Sequence, residues 1–264
     1  MAPSSSDATL ELARSKRLVL TVTTGRSGTG HLAKTLACFP GVKSEHEPKP
    51  TFGSAMRTVQ QTPATAREFW LEHKLPRIAA VRAPVYVETS HLVCKGFLES
   101  AVELRLQMTW IELVRPARAV ARSLCSLGTV PGRTFAGTKY YLSPFDARVR
   151  LALAAERAER LSDYQLAFWY CLELAERARE LEALARANGV GWVRCELEQL
   201  TSTEGVLTLG RTLGLAEPSP VGRLRLAALS SRPSNRKEHL KARFELADDE
   251  CERQEREVRE LVGR

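Results

Sequence analysis

The sequence predicts an α/β fold: a three-layer sandwich with a central parallel sheet and a P-loop-like anion-binding turn after the first strand. Three observations predict it. Apolar, β-rich runs at 18–24 (LVLTVTT), 85–90 (VYVETS), 110–114 (WIELV) and 191–195 (GWVRC) alternate with segments of helical periodicity, the pattern of parallel strands joined by crossover helices. The first run leads directly into TGRSGTGHL, where Gly25 and Gly30 stand at G-x-x-x-x-G spacing between a strand and a helix. Finally, 264 residues with 44% hydrophobic content suffice for one large core, and no Gly/Ser/Pro-rich linker interrupts residues 18–230. The expected organisation is a disordered tail over 1–17 and a single domain over 18–264.

The elements follow in order. Residues 31–39 carry apolar side chains at helical spacing and stop before Pro40-Gly41, and a short strand around Val42 then enters the polar turn SEHEPKP. Residues 54–80 read as helix, with breaks near Pro63 and Pro76, because proline lacks the donor a helix interior needs. A helix over 117–127 follows the WIELV strand directly. The strongest helical pattern spans 161–188 and ends at Gly189, and further helices are expected at 206–215 and 245–263.

A net charge of +8 and a pI near 9.4 point to an anionic ligand. Nucleic acid is not the expected one, because Arg and Lys are interleaved with Glu, as in LAERARELEALAR, and no nucleic-acid motif occurs. The opening MAPSSSDATLELARSKR lacks the apolar region of a secretory signal, and no stretch approaches the roughly 20 apolar residues of a membrane span. A cytoplasmic protein without a membrane partner is therefore expected. Six cysteines (38, 94, 125, 171, 195 and 251) are scattered without a C-x-x-C pair; they read as reduced core thiols, and no metal site is expected.

A strand, a glycine turn and a helix start together make an anion nest, with backbone N–H groups converging and the helix dipole adding positive charge. Gly25, Arg26, Ser27, Gly28, Thr29 and Gly30 would form it, with hydroxyl donors from Ser27 and Thr29 and permanent charge from Arg26. A triphosphate-binding loop would continue with Lys and then Ser or Thr, but here His31 and Leu32 follow. The loop thus suits an anion whose chemistry needs no magnesium, and a P-loop kinase with a degenerate loop becomes the lesser alternative. His31 opens the helix, where it either touches phosphate or packs the helix.

TTGRSGTGHL resembles the loop of the PAPS-dependent sulfotransferases, in which G-R-S-G-T precedes a helix and binds the 5′-phosphosulfate of 3′-phosphoadenosine 5′-phosphosulfate (PAPS). A second element is similar to the family's 3′-phosphate site: a strand ending in Arg, with Ser eight residues on. WIELVRPARAVARSL supplies Arg115 and Ser123 at that spacing, though the family's Asp is missing and Pro116 stands one place early. GVKSEHEPKP resembles a H-E-P turn of the bacterial type, VYVETSHLVCKGF the Y-x-E-T strand, and FWYCLELAERARE the family's W-Y helix. VRCELEQL is similar to an R-Y-E-D-L segment. SSRPSNRKEH is similar to the basic loop that closes over the nucleotide, which implicates Asn235, Arg236 and Lys237. The resemblance covers residues 18–240 and implies PAPS as donor cosubstrate and 3′,5′-ADP as product. A non-catalytic nucleotide-binding relative is a further alternative.

Transfer to a hydroxyl or amine also needs a base and a charge that stabilises the leaving phosphate. Arg26 fits the second role. SEHEPKP offers Glu47, His46 and Glu45 for the first, and the family's H-E-P turn favours Glu47, then His46, then Glu45. Ser90, His91 and Lys95 follow the Y-x-E-T strand near the expected cleft. His73 and His239 have no context that raises them. Residues 54–82 and 129–165 are expected to shape a pocket for a small-molecule or carbohydrate acceptor. GTVPGRTFAGTKYYLSPF reads as a mobile lid, whose Lys139, Tyr140 and Tyr141 either hold the acceptor or pack the lid.

Overall fold

The computed structural model describes residues 5–230 and 244–264. Five strands, β1 (Arg17–Val22), β2 (Val42–His46), β3 (Val85–Thr89), β4 (Met108–Val114) and β5 (Gly191–Glu196), form one sheet in the order β2-β3-β1-β4-β5. Every pairing is parallel. β1 is central and buried on both faces because its residues alternate between two cores. Leu18, Leu20 and Val22 join the larger cluster, whereas Val19 joins the smaller.

Helices cover both faces: α1 (Ser5–Arg14), α2 (Thr29–Leu36), α3 (Met56–Gln61), α4 (Thr65–Phe69), α5 (Leu75–Ala79), α6 (Leu98–Glu103), α7 (Ala117–Ser126), α8 (Phe135–Tyr140), α9 (Ala155–Arg160), α10 (Asp163–Ala187), α11 (Thr203–Thr212), α12 (Pro220–Ser230) and α13 (Asp248–Leu261). The smaller core joins α2, α11 and α12 to one face through Leu32, Leu36, Val206, Leu209 and Leu226. The larger core lies on the other face, where Trp70, Trp110 and Trp169 are fully buried. Ser162 and Gln165 close a capping box at the start of α10, satisfying the first orphan donors of the longest helix. Among the described residues no helix is long and apolar enough to cross a membrane.

Two expectations need correction, and a third gains detail. The tail expected to be disordered contains α1, held by fully buried Ala13 and by Arg14 Nε donating to the Leu104 carbonyl at 3.0 Å. Pro76 does not break the helix. The turn Trp70–Lys74 before it is a π-turn, and Leu75 N–H bonds Trp70 O across five residues. The extra residue lets Pro76 sit at the start of a new helical run, where its missing donor costs little. The expected lid is not without regular structure. It carries α8, and Arg57 ties its end to Asp146 at 2.5 Å and to the Tyr141 carbonyl.

Candidate active site

The loop between β1 and α2 has the geometry of an anion nest. Gly25, Arg26 and Gly28 have φ of +79°, +56° and +90°, a left-handed conformation that costs a non-glycine residue about 1–2 kcal/mol. At Gly25 the space is short as well, whereas at Gly28 only a flexible leucine methyl would have to move. A Cβ on Gly25 would lie 2.8 Å from His91 Cγ, and one on Gly28 would lie 2.4 Å from Leu197 Cδ1. Gly28 caps α2 without a side-chain bond. Among the described residues, the N–H groups of Ser27, Gly28, Thr29 and Gly30 have no protein acceptor, so the positive end of α2 presents four free donors.

Arg26, Arg115 and Ser123 meet at this loop. Arg115 Nη1 donates to the Arg26 carbonyl at 2.7 Å, and Arg26 Nε donates to Ser123 Oγ at 3.1 Å. The Arg115 guanidinium is part-buried, and burial together with the charge of Arg26 pushes its pKa down. Neither arginine forms an ion pair among the described residues. Two guanidinium charges thus stand close together with no carboxylate in ion-pair range among the described residues, Glu198 acting on Arg115 only from farther off, which favours an anion there. The Ser123 oxygen accepts from Arg26, so its own proton stays available for donation. Arg118 and Arg122, on the same helix, turn away to Glu252, Glu255 and Asp248 of α13.

Not every residue of the loop keeps its expected role. Thr23 Oγ1 gives its single proton to the Leu113 carbonyl at 2.8 Å. The Ser27 hydroxyl, paired with Thr23 and fully buried, must therefore donate inward. Ser27 offers its backbone N–H to a ligand, not its side chain. His31 is a packing residue: its Nε2 lies 2.9 Å from the Leu200 carbonyl, and its N–H bonds Gly28 O. Asn235, Arg236 and Lys237 lie outside the described residues.

The turn after β2 separates the three base candidates. Side chains alternate along a strand, so Glu45 and His46 face opposite sides of the sheet. Glu45 is bound to Arg77 at 2.7 Å and to Lys43 at 3.3 Å, and these pairings hold its carboxyl below the ordinary range despite partial burial. It lies away from the loop and is removed as a candidate. His46 donates Nδ1–H to the Thr89 carbonyl at 2.9 Å, which leaves Nε2 as an open lone pair 3.8 Å from the Cβ position of Gly30. Glu47 has φ +46°. Its Oε1 faces Ser90 Oγ at 3.5 Å and His91 Nε2 at 3.7 Å.

Ser90, His91 and Lys95 are therefore part of the same assembly. Lys95 is wholly buried, and its Nζ donates to the Tyr140 carbonyl at 2.6 Å and faces His91 Nδ1 at 3.1 Å. Tyr141 stacks against His91 with ring centroids 5.0 Å apart, and Tyr170 donates to the Thr24 carbonyl of the loop at 2.6 Å. Lys139 lies over the Phe135 and Tyr140 rings. The lid tyrosines pack the site wall, which the lid sequence alone left open. Two surface grooves lie elsewhere: one of 520 Å³ beside Arg157 and Glu257, and one of 450 Å³ at the amino edge of the sheet beside Arg17 and Arg105. Neither contains a loop residue.

No protein-family model matches the sequence, and no curated protein matches it. Among solved structures, the chain is similar to the sulfotransferase STF1 of Mycobacterium tuberculosis H37Rv, with a TM-score of 0.50 and 14% identity over 97% of this chain and 78% of that one. The chain has a sulfotransferase-like fold. The sulfotransferase domain of the Synechococcus PCC 7002 olefin synthase also aligns, with a TM-score of 0.46 and 15% identity over 92% of this chain and 93% of that one.

Proposed function

We propose that the protein is a PAPS-dependent sulfotransferase that moves a sulfuryl group to a hydroxyl or amine of a small-molecule or carbohydrate acceptor, with Glu47 as general base. The observation that carries this reading is the meeting of Arg115, Ser123 and Arg26. It unites the two sequence elements, about ninety residues apart, that the family resemblance assigns to opposite ends of one nucleotide.

The residues fit such a donor. The Ser27–Gly30 N–H groups bind the 5′-phosphosulfate at the positive end of α2, in a turn whose left-handed Gly25 and Gly28 let those donors converge. Arg115 and the Ser123 hydroxyl bind the 3′-phosphate through charge-assisted and neutral hydrogen bonds. PAPS, when bound, supplies the sulfuryl group. Arg26 stabilises the charge left on the phosphate, and its guanidinium does not readily give up a proton, so its part is electrostatic. Glu47 takes the acceptor's proton as the new bond forms, and its left-handed backbone aims the carboxylate into the site. His46, whose tautomer leaves Nε2 bare, is the second candidate for that proton.

The test has two parts. Thermal unfolding should be shifted upward by 3′,5′-ADP and not by ATP, and Arg115→Ala should weaken 3′,5′-ADP binding by about tenfold or more. Stabilisation by ATP and not by 3′,5′-ADP would favour the degenerate kinase. A mass-spectrometric screen of acceptors with isotope-labelled PAPS in EDTA should then yield a sulfated product. Binding of 3′,5′-ADP without transfer to any acceptor class would identify a non-catalytic relative.

A further inference from the structure

We propose that His91 and Lys95 are positioning residues for Glu47: Lys95 holds the His91 ring so that its Nε2–H faces the Glu47 carboxylate. This rests on the reading of Glu47 as the base and extends it to two residues behind that base.

Lys95 is the starting point because its environment is unusual. The side chain has no exposure, yet no carboxylate pairs with it among the described residues. Its Nζ instead meets the Tyr140 carbonyl, His91 Nδ1 and the faces of Tyr141 and Tyr170, 4.9 and 5.0 Å from their centroids. While protonated, Lys95 only donates, so His91 Nδ1 accepts; the neutral amine formed above a pH of about 7 lifts that constraint. A neutral imidazole whose Nδ1 accepts carries its proton on Nε2, the atom 3.7 Å from Glu47 Oε1. The order of contact therefore runs from the Lys95 ammonium through His91 to Glu47, whose Oε1 faces Nε2–H at 3.7 Å, beyond direct hydrogen-bond length.

The ring has little freedom to choose otherwise. Tyr141 stacks on it, and Gly25 approaches it so closely that a Cβ there would collide with Cγ. Arg26, His46 and Lys95 all face His91, and burial together with these charges keeps the ring neutral. Around Lys95 lie Cys94, Arg57, Arg177 and Glu47. Glu47 is the anion of this set, and His91 stands between it and the lysine. Without Lys95, the other tautomer would set a nitrogen lone pair against the carboxylate and turn it out of line.

The tautomer is directly measurable. Side-chain ¹⁵N–¹H correlation spectra of the full chain, recorded below a pH of about 7 so that Lys95 is an ammonium and with the His91 signals assigned by their loss in His91→Gln, should show a single Nε2–H form in the unsubstituted protein. Lys95→Met should produce a mixture of both tautomers. Glu47→Gln should keep the Nε2–H form and move its proton upfield, because a charged acceptor has been lost. A Nδ1–H ring in the unsubstituted protein, or a His91 spectrum indifferent to both substitutions, would overturn the proposal. If Lys95→Met does not fold, the unsubstituted spectrum and Glu47→Gln still decide it. These spectra need no transfer reaction, so they stand apart from the turnover of Glu47→Gln, which tests the base assignment itself.

Discussion

Two fully buried lysines flank β3, and the protein treats them in opposite ways. Lys74, in the π-turn, has Glu88 Oε1 at 2.5 Å and the Phe52 ring at 4.2 Å. Tyr86 donates to the other Glu88 oxygen at 3.2 Å. Burial pushes the Glu88 carboxyl up and the Lys74 amine down, while their mutual attraction opposes both shifts. The pair is closed and faces no cleft. Lys95 has no such partner, and burial brings its pKa from 10.5 to about 7. Its nearest anion is Glu47, reached only through an imidazole. A lysine paired directly with a carboxylate holds two elements together, whereas a buried lysine met only by a carbonyl, an imidazole and two ring faces gives up its proton more readily.

The largest effect should come from breaking the closed pair. Glu88→Ala leaves a buried ammonium unpaired and should cost about 3–5 kcal/mol in urea unfolding, whereas replacing both members by apolar residues should recover most of that loss. Equal instability in the single and double variants would show that Lys74 and Glu88 act separately. Glu47→Gln should leave stability unchanged and lower turnover by about 10²-fold, read from product formation at saturating PAPS.

Lys95 itself should show in the pH dependence of stability. Its folded pKa lies below its unfolded one, so between pH 7 and 10.5 the unfolded chain holds the extra proton. Stability should therefore rise with pH across that window, by up to about 1.4 kcal/mol per unit. Lys95→Met should flatten the rise. A smaller effect is expected at Glu47, where Glu47→Gly removes the left-handed strain and should stabilise the fold by about 1 kcal/mol while abolishing transfer. A loss of stability there would mean that the Glu47 side chain holds the turn.

How much of this was legible in the sequence depended on distance along the chain. The strands were readable because short apolar, β-rich runs alternate with helical periodicity, the first ending at Gly25, and the loop because its spacing is local. Arg115 and Ser123 were readable as a pair through the family resemblance, with which a spacing of about two helical turns agrees. The roles of Ser27 and His31 were not, since they are decided by the carbonyls of Leu113 and Leu200. The tautomer of His91 depends on Lys95 one turn away and on Tyr141 from the lid, a meeting no local pattern encodes. Glu45 and Glu47 stand two apart in SEHEPKP, and what separates them is non-local: Glu45 is still on β2 and pairs with Arg77, whereas Glu47 lies past the strand end with a left-handed backbone. The helix α1 escaped notice because a single buried alanine and one arginine hold it.

The hydroxyl pair of Thr23 and Ser27 has a consequence beyond local bonding. By anchoring the glycine turn to the last peptides of β4, it welds together the two segments assigned to opposite ends of the donor. Their separation is then a property of the empty protein, set by the sheet's own spacing. On the proposed reading, such a gauge would select a guest by the distance between its charged ends, before any reacting group is in play.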